Sequence, residues 1–243
     1  MVLSLGKKVW LYFFVGNKIH PVFFASQSAM ASSRSDATMR SSEETWQARK
    51  GAMTRARIVD ATIDCIVEFG YHKTTMARVA ERANASQGAM QHHFASKLEL
   101  IKAAINRLQE QRLTERGRDL AERPYGVDTL AYGIEVYWDH VSRKQFTAYQ
   151  ELVMAARTDP ELAAVLKPAY QKFIAQYRDD SAAEVPEWQA NRNDFELVAD
   201  LLQHLMEGLA YGQLNDQLDD ARTREVIGFA SELIAAWTDR HFV

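Results

Sequence analysis

The segment from Thr74 to Leu100 constrains the fold of this chain more than any other part of the sequence. It predicts two short helices joined by a tight turn, with a third helix directly after them. In the first helix, apolar residues recur at helical spacing: Val79, Ala80 and Ala83. Asn84 stands where the chain must turn, and asparagine tolerates left-handed backbone better than most residues. Ser86 can then cap the free amides of the next helix.

The second helix of the segment, from Gln87 to about His93, carries polar side chains and no carboxylate. Its hydrogen-bonding residues are Gln87, Gln91, His92 and His93. A short helix of this composition after a tight turn is typical of a helix-turn-helix whose second helix enters the DNA major groove. Met90 and Phe94 are expected to pack inward with Val79 and Phe69.

The third helix begins with a capping box, in which Ser96 caps forward and Glu99 caps back. Lys97 lies in that first turn, where the helix dipole and free backbone amides already favour an anion. This arrangement predicts a phosphate contact next to the helix-turn-helix.

The segment from about Ala52 to Arg112 resembles the DNA-binding domain of the TetR family of transcriptional regulators. The resemblance rests on the first helix RARIVDATIDCIVEFG, a G-Y-x-x-T-T start, V-A-x-x-A, and S-x-G-A-x-x-H-H-F-x-S-K. At four positions the sequence departs from the commonest pattern of the family: Met76, Asn84, Ala85 and Gln91.

The resemblance implies DNA contacts at eight positions: Thr75, Gln87, Gly88, Ala89, Gln91, His92, His93 and Lys97. The two glutamines can bond base edges, and Gly88 allows a close approach to the groove while Ala89 can touch a thymine methyl. Thr75, the two histidines and Lys97 suit phosphate, which fixes register without selecting sequence.

The 243-residue chain is rich in helix-forming residues at 3.6-residue spacing and poor in strand patterns, which predicts an all-α fold. We expect a disordered or spurious extension at 1–51, a three-helix DNA-binding domain at 52–112 with the helix-turn-helix at 75–94, and an effector-binding and dimerisation domain at 113–243. The last two are expected to have separate cores.

Charge is distributed unevenly along the chain. Residues 52–112 contain nine Lys/Arg and six Asp/Glu, whereas residues 113–243 contain thirteen Lys/Arg and twenty-three Asp/Glu. A mildly basic module on an acidic body would orient the molecule on a polyanion. The alternative is that helical bundles are often acidic without such a role.

The first 50 residues do not fit the predicted fold. An apolar run at Val9–Val15 follows Lys7-Lys8, which suggests a signal peptide, but the run is short and too short to span a bilayer. We expect instead that translation begins at Met30 or Met39, and that 31–50 is a mobile tail.

The residue inventory argues against other classes of protein. Cys65 is the single cysteine, lies in the apolar pattern of the first helix, and fits a core position in a cytoplasmic protein. Adjacent His92 and His93 point about 100° apart and cannot chelate one ion, so no metal or other cofactor is expected. No nucleophile motif or phosphate loop is present, and we predict that the chain is not an enzyme.

The C-terminal helices carry many large side chains with polar tips, which suit either an ordinary core or a small-molecule pocket. Since TetR-like proteins have an effector cavity here, the resemblance implies that some of them line one. The candidates are Tyr137, Trp138, Phe146, Tyr149, Met154, Phe173, Tyr177 and His204.

The last two helices have more apolar surface than one contact requires. The resemblance implies a homodimer in which they form a four-helix bundle with the second copy. The expected interface residues are Leu202, Leu205, Leu209, Val226, Leu233 and Trp237.

Together these features predict a cytoplasmic, nucleoid-associated homodimer that binds a pseudo-palindromic operator in double-stranded DNA. We expect a repressor released by a small apolar or aromatic effector. The alternatives are an activator, a regulator without a ligand, or, from another class, a helical enzyme that uses the aromatic cavity.

Overall fold

The computed structural model describes residues 3–4, 9–15, 18–24, 27–183 and 190–241, with side chains described in 46–183 and 190–241. The chain divides into two compact units, residues 1–55 and 56–243. Within the described residues, no helix is long and apolar enough to cross a membrane.

The N-terminal unit differs from the expected disordered extension. Its strands β1 (Leu3–Ser4), β2 (Val9–Val15) and β3 (Lys18–Phe24) form an antiparallel sheet in that order. The β2 run VWLYFFV is built of the β-branched and aromatic residues that favour strands, a pattern that the sequence analysis did not recognise as a strand. Residues 31–50 also belong to a helix, since no proline or glycine interrupts the chain between Gln27 and Lys50.

From Gln27 onward every described element is helical, and the all-α prediction is confirmed for that part of the chain. The helices are α1 (Gln27–Lys73), α2 (Met76–Arg82), α3 (Gln87–His93), α4 (Lys97–Ala121), α5 (Thr129–Val141), α6 (Lys144–Ala156), α7 (Pro160–Ala183), α8 (Arg192–Leu214) and α9 (Asp220–His241). Within α1, Gly70 has a φ of 74°, where the helix kinks just before its end.

Local capping fixes the turn between α2 and α3 as the sequence predicts. Asn84 has a φ of 46°, and its N–H donates to Glu81 O at 3.0 Å. The N–H of Ala85 donates to Ala80 O at 2.9 Å, which completes a Schellman motif. Ser86 Oγ then accepts from Ala89 N at 3.1 Å and begins α3.

The predicted capping box at the start of α4 is also present, with one shift. Ser96 Oγ accepts from Glu99 N at 3.1 Å, whereas Glu99 Oε2 accepts from Ala95 N, the residue before the N-cap. Side chains therefore satisfy two backbone amides at the start of α4.

The expected separation of two cores is wrong. One continuous cluster of buried residues contains Ile58 and Cys65 of α1, Met90 of α3, Ile105 of α4 and Met206 of α8. Helix α4 joins the two parts because it runs through position 112, where the boundary was expected, and packs on α5, α6 and α7. Cys65 is fully buried, as predicted for a core cysteine.

The left-handed residue of the turn gives a stability prediction. Asn84→Ala should lower the free energy of unfolding by about 1 kcal/mol, because alanine lacks the local hydrogen bonding that helps asparagine into this conformation. Asn84→Gly should cost nothing or stabilise slightly. Urea unfolding of both variants checks this, and equal stability of the two would contradict it.

Candidate nucleic-acid interface and internal cavity

Helix α3 presents a polar face outward, while Met90 and the C-cap residue Phe94 point inward. Met90 and Phe94 are 1% exposed and belong to the core with Val79, as the sequence predicted. Phe69 is partly buried against the same core. The remaining side chains of α3 are exposed or half-buried: Gln87, Gly88, Ala89, Gln91, His92 and His93. The fold thus gathers the predicted contact residues of α3 on an accessible surface.

Thr75 is exposed at the start of α2, where its Oγ1 accepts from Arg78 N at 3.2 Å. No carboxylate lies within α3, so this outward face presents hydrogen-bond donors and acceptors without a negative charge. Such a surface suits base edges and phosphates rather than a cationic partner.

Lys97 is less free than the sequence predicted. Its Nζ donates to Tyr71 O at 2.8 Å and lies 4.2 Å from the centre of the Tyr71 ring. Burial lowers the pKa of Lys97, and the charge of Asp159 opposes that shift. The side chain is half-buried, so a phosphate contact would use its remaining N–H groups.

Tyr71 also connects the end of α1 to the start of α7. Its hydroxyl donates to Asp159 Oδ2 at 2.9 Å, while Asp159 Oδ1 accepts from Leu162 N at 3.0 Å and caps α7. Burial, followed by the hydrogen bond to Asp159, raises the pKa of Tyr71 to about 12. Tyr71 therefore contacts both Lys97 of α4 and Asp159, the residue that caps α7.

A cavity of about 130 Å³ lies among α4, α5, α7 and α8. Three of the predicted effector residues line it: Tyr137, Phe173 and Tyr177. Their rings contact each other, with centroids 5.8 Å apart for Tyr137–Tyr177 and 5.7 Å for Phe173–Tyr177. These rings give the cavity an apolar, aromatic wall.

The other five expected pocket residues lie elsewhere. Trp138 follows Tyr137 directly, so it points about 100° away from it on α5 and packs in the core. Phe146 and Tyr149 are also core residues, and Tyr149 additionally lines a second, more open depression together with His204. His204 is exposed and Met154 is 52% exposed, and neither lines the aromatic cavity.

The polar residues of the cavity wall were not predicted from the sequence, and they include Arg112, Arg116, Gln203 and Glu207. One pattern could have revealed two of them. The inward stripe of α4 runs Ile101, Ile105, Leu108 and then continues at helical spacing with the two arginines. A charged residue in register with a core stripe indicates either a buried ion pair or a polar cavity.

The cavity carboxylate already has two hydrogen-bond donors. Tyr137 Oη and Gln203 Nε2 each donate to Glu207 Oε1 at 3.4 Å, and Gln203 Nε2 also lies 2.5 Å from Tyr170 Oη. Burial raises the pKa of Glu207, against the opposing charge of Arg112. The carboxylate is thus hydrogen-bonded by two neutral side chains, one on α5 and one on α8.

The expected dimer residues divide between the core and the surface. Leu209 is 6% exposed and belongs to the protomer core, and Leu202, Leu205 and Val226 are partly buried against that core. The three leucines face inward because they lie on the same side of α8 as the fully buried Met206. Val226 lies one turn from the buried Ala230 on α9. Leu233 is 55% exposed, and Trp237 is half-buried against a smaller cluster that contains Ile234.

A different set of apolar side chains is exposed on the last two helices. On α8 these are Leu197, Leu201, Tyr211 and Leu214, and on α9 they are Phe229 and Leu233. Of these, only Leu233 is among the residues that the sequence predicts at the interface. The spacing of 197, 201 and 211 on α8, and of 229 and 233 on α9, places these residues along one side of each helix.

Asp119, Asp139 and His140 bring three potential ligand atoms within 4.8 Å of one another. Cations of the protein already neutralise both carboxylates. Arg118 Nη2 lies 2.9 Å from Asp119, and Arg143 pairs with Asp139 and reaches Asp119 at 3.8 Å. The group forms an ion-pair network between α4 and α5.

The geometry agrees with comparisons to known proteins. The profile described as "Bacterial regulatory proteins, tetR family" matches residues 58–104, which run from α1 into α4. The HTH-type transcriptional regulator UidR of Escherichia coli (strain K12) is 30% identical over 185 residues, covering 75% of this chain and 90% of UidR.

Solved structures show the same fold. Salmonella enterica GusR is 26% identical with a TM-score of 0.55, covering 75% of this chain and 95% of that chain. A transcriptional regulator from Rhodococcus sp. Rha1 is 23% identical with a TM-score of 0.57, covering 74% of this chain and 95% of that chain. With its helix-turn-helix and its helical C-terminal part, this chain belongs to the TetR family of transcriptional regulators.

Proposed function

We propose that this regulator is a repressor that leaves its operator when a small molecule enters the cavity. One observation carries this proposal. Helix α4 begins beside the helix-turn-helix, with Lys97 in its first turn, and lines the cavity with Arg112 and Arg116 further along. A ligand that favours one position of α4 would therefore change the placement of α3.

DNA recognition would use the outward face of α3. Gln87 and Gln91 are exposed and can form paired hydrogen bonds with adenine, while His92, His93 and Lys97 suit phosphates. Seven residues of helix contact few base pairs, so specific binding requires two copies on a pseudo-palindrome.

The exposed apolar residues of α8 and α9 support a homodimer through these helices. Leu197, Leu201, Tyr211, Phe229 and Leu233 are each more than half exposed in the protomer. A second copy placed on them would remove this apolar surface from water, which stabilises association by about 25 cal/mol per Å² before the costs of ordering. Membership of the family gives the same expectation.

The deciding experiment for the function is selection of operator sequences by the full chain from random DNA, followed by a reporter placed behind the selected site. Repression that is lost on deletion of the gene supports the proposal. Higher reporter output with the protein than without it would show an activator instead.

Two substitutions separate base contacts from phosphate contacts. Lys97→Ala should weaken binding to all sequences alike and lower the log–log salt slope by about one. Gln87→Ala should change the preferred base at one position, at a cost of about 1–3 kcal/mol of discrimination. The measurement is a salt titration of binding to the selected operator and to random DNA.

Lys102→Ala is the matched control, since Lys102 is an exposed lysine on the same helix. Its salt slope should equal that of the unmodified protein. A slope unchanged by Lys97→Ala would exclude the phosphate contact.

The dimer surface is tested by Leu233→Asp. Leu233 is 55% exposed, so the folded protomer should tolerate the change, whereas a charge inside an apolar interface should weaken dimerisation by ~100-fold or more. Operator affinity should fall with it. Sedimentation at micromolar concentration measures the oligomeric state.

Ala235→Asp introduces the same charge on the same helix at another exposed position, about 160° around from Leu233. It should leave the dimer intact. If Leu233→Asp also remains a dimer with full operator affinity, the interface lies elsewhere.

A further inference from the structure

The cavity wall contains two arginines that form no ion pair with the described residues, and the charge of Glu207 acts only on Arg112. Arg116 is 6% exposed, and Arg112 is half-buried with its Nε buried and without a hydrogen-bond partner. Among the residues whose side chains are described, no carboxylate lies within 4.0 Å of either guanidinium. Buried charges in proteins are normally paired, so this arrangement requires an explanation.

Aromatic rings hold both arginines in place without supplying a counter-charge. The Cζ of Arg112 lies 4.8 Å from the centre of the Phe173 ring, and the Cζ of Arg116 lies 4.9 Å from that of Tyr177. Burial raises the pKa of Tyr177, so its hydroxyl is neutral beside Arg116. Arg112 also interacts with the hydroxyl of Tyr137, and Arg116 with that of Tyr177, and each interaction opposes the rise that burial causes in the pKa of the tyrosine. A guanidinium has five N–H donors, so each arginine keeps further donors for a ligand.

The remaining charged wall residues do not compensate them. Arg178 pairs with Asp200 and does not need another anion. Glu207 is the one carboxylate among the described residues that line the cavity, and Tyr137 and Gln203 already donate to it. With two arginines against one carboxylate, the cavity has an excess of positive charge next to an aromatic wall.

We propose that the cavity binds an organic anion, an aromatic or otherwise apolar carboxylate, whose charged group pairs with Arg112 and Arg116. This proposal rests on the proposed function in taking the cavity as the effector site, and it specifies the chemical class of the effector. The guanidinium edges match a carboxylate in a bidentate arrangement, and the rings of Tyr137, Phe173 and Tyr177 pack against the apolar body.

The competing assignment is a cationic aromatic ligand bound by Glu207. It is disfavoured because such a ligand would bring a third positive charge beside Arg112 and Arg116. It would also compete with the two donors that Glu207 already has. The probes below separate the two assignments.

The test uses two fluorescent probes with nearly the same rings. 8-Anilinonaphthalene-1-sulfonate is an anion, and N-phenyl-1-naphthylamine is its uncharged counterpart. Arg116→Gln and Arg112→Gln in the full chain should each weaken binding of the anion by roughly tenfold or more, and binding of the neutral probe by less than about twofold. Retained binding of the neutral probe shows that the cavity is still folded.

Arg118→Gln is the control, since Arg118 is on the same helix but is exposed and paired with Asp119. It should leave both affinities unchanged. Thermal unfolding adds a second measurement, because removal of an uncompensated buried charge should leave the melting temperature of the free protein unchanged or raise it. A purely structural role of Arg116 predicts a lower melting temperature and equal loss of both probes.

Displacement identifies the charge that the cavity selects. Bound anionic probe should be displaced by 2-naphthoate, and at least tenfold less effectively by 2-naphthamide or 2-naphthylmethylammonium. Anion affinity that does not depend on either arginine, or preferential binding of the ammonium compound, would overturn the proposal.

This titration contains no DNA, so it is independent of the proposed repression. Addition of 2-naphthoate to the protein–operator complex tests the second step separately. Arginine-dependent binding without a change in operator affinity would support the anion site and contradict release by an effector.

Discussion

The packing of α4 is the constraint on which the rest of the structure depends. Its first half contributes Ile101 and Ile105 to the same core as α1 and α3, and its second half places Arg112 and Arg116 in the cavity wall. A helix is stiff over this length, and a close-packed core transmits small displacements. A displacement of α4 at the cavity would therefore act on the core that α4 shares with α3.

A second connection lies beside α4. Tyr71 accepts from Lys97 through its backbone oxygen and donates to Asp159 through its hydroxyl. Asp159 in turn caps α7, the helix that carries Phe173 and Tyr177 into the cavity. Two independent sets of contacts thus link the proposed DNA surface to the wall of the proposed effector site.

The buried and the exposed apolar residues of the last two helices contribute differently to stability. Leu209 and Met206 are buried within the protomer, and their removal from water stabilises the monomer itself. Leu201, Phe229 and Leu233 are exposed, so their apolar surface stabilises nothing until another molecule covers it. In the cavity, by contrast, burial of Arg112 and Arg116 costs free energy in the unliganded protein. A bound anion would offset that cost.

The sequence by itself determined the features that depend on near neighbours in the chain. The left-handed turn at Asn84, the caps at Ser86 and Ser96, and the inward positions of Met90 and Phe94 each follow from residue type and spacing within a few residues. Family membership followed from the same segment, because that segment carries most of the local pattern.

Only the tertiary structure decided which side of each long helix faces a cavity, the core or solvent. Tyr137 and Trp138 have similar side chains, yet only the first lines the cavity, and Leu209 and Leu233 have identical side chains in different environments. The strand β2 was likewise not recognised from its sequence. The physical reason is that an amphipathic pattern predicts which side of a helix is covered. Whether the core or a cavity lies on that side depends on segments that are distant in the chain.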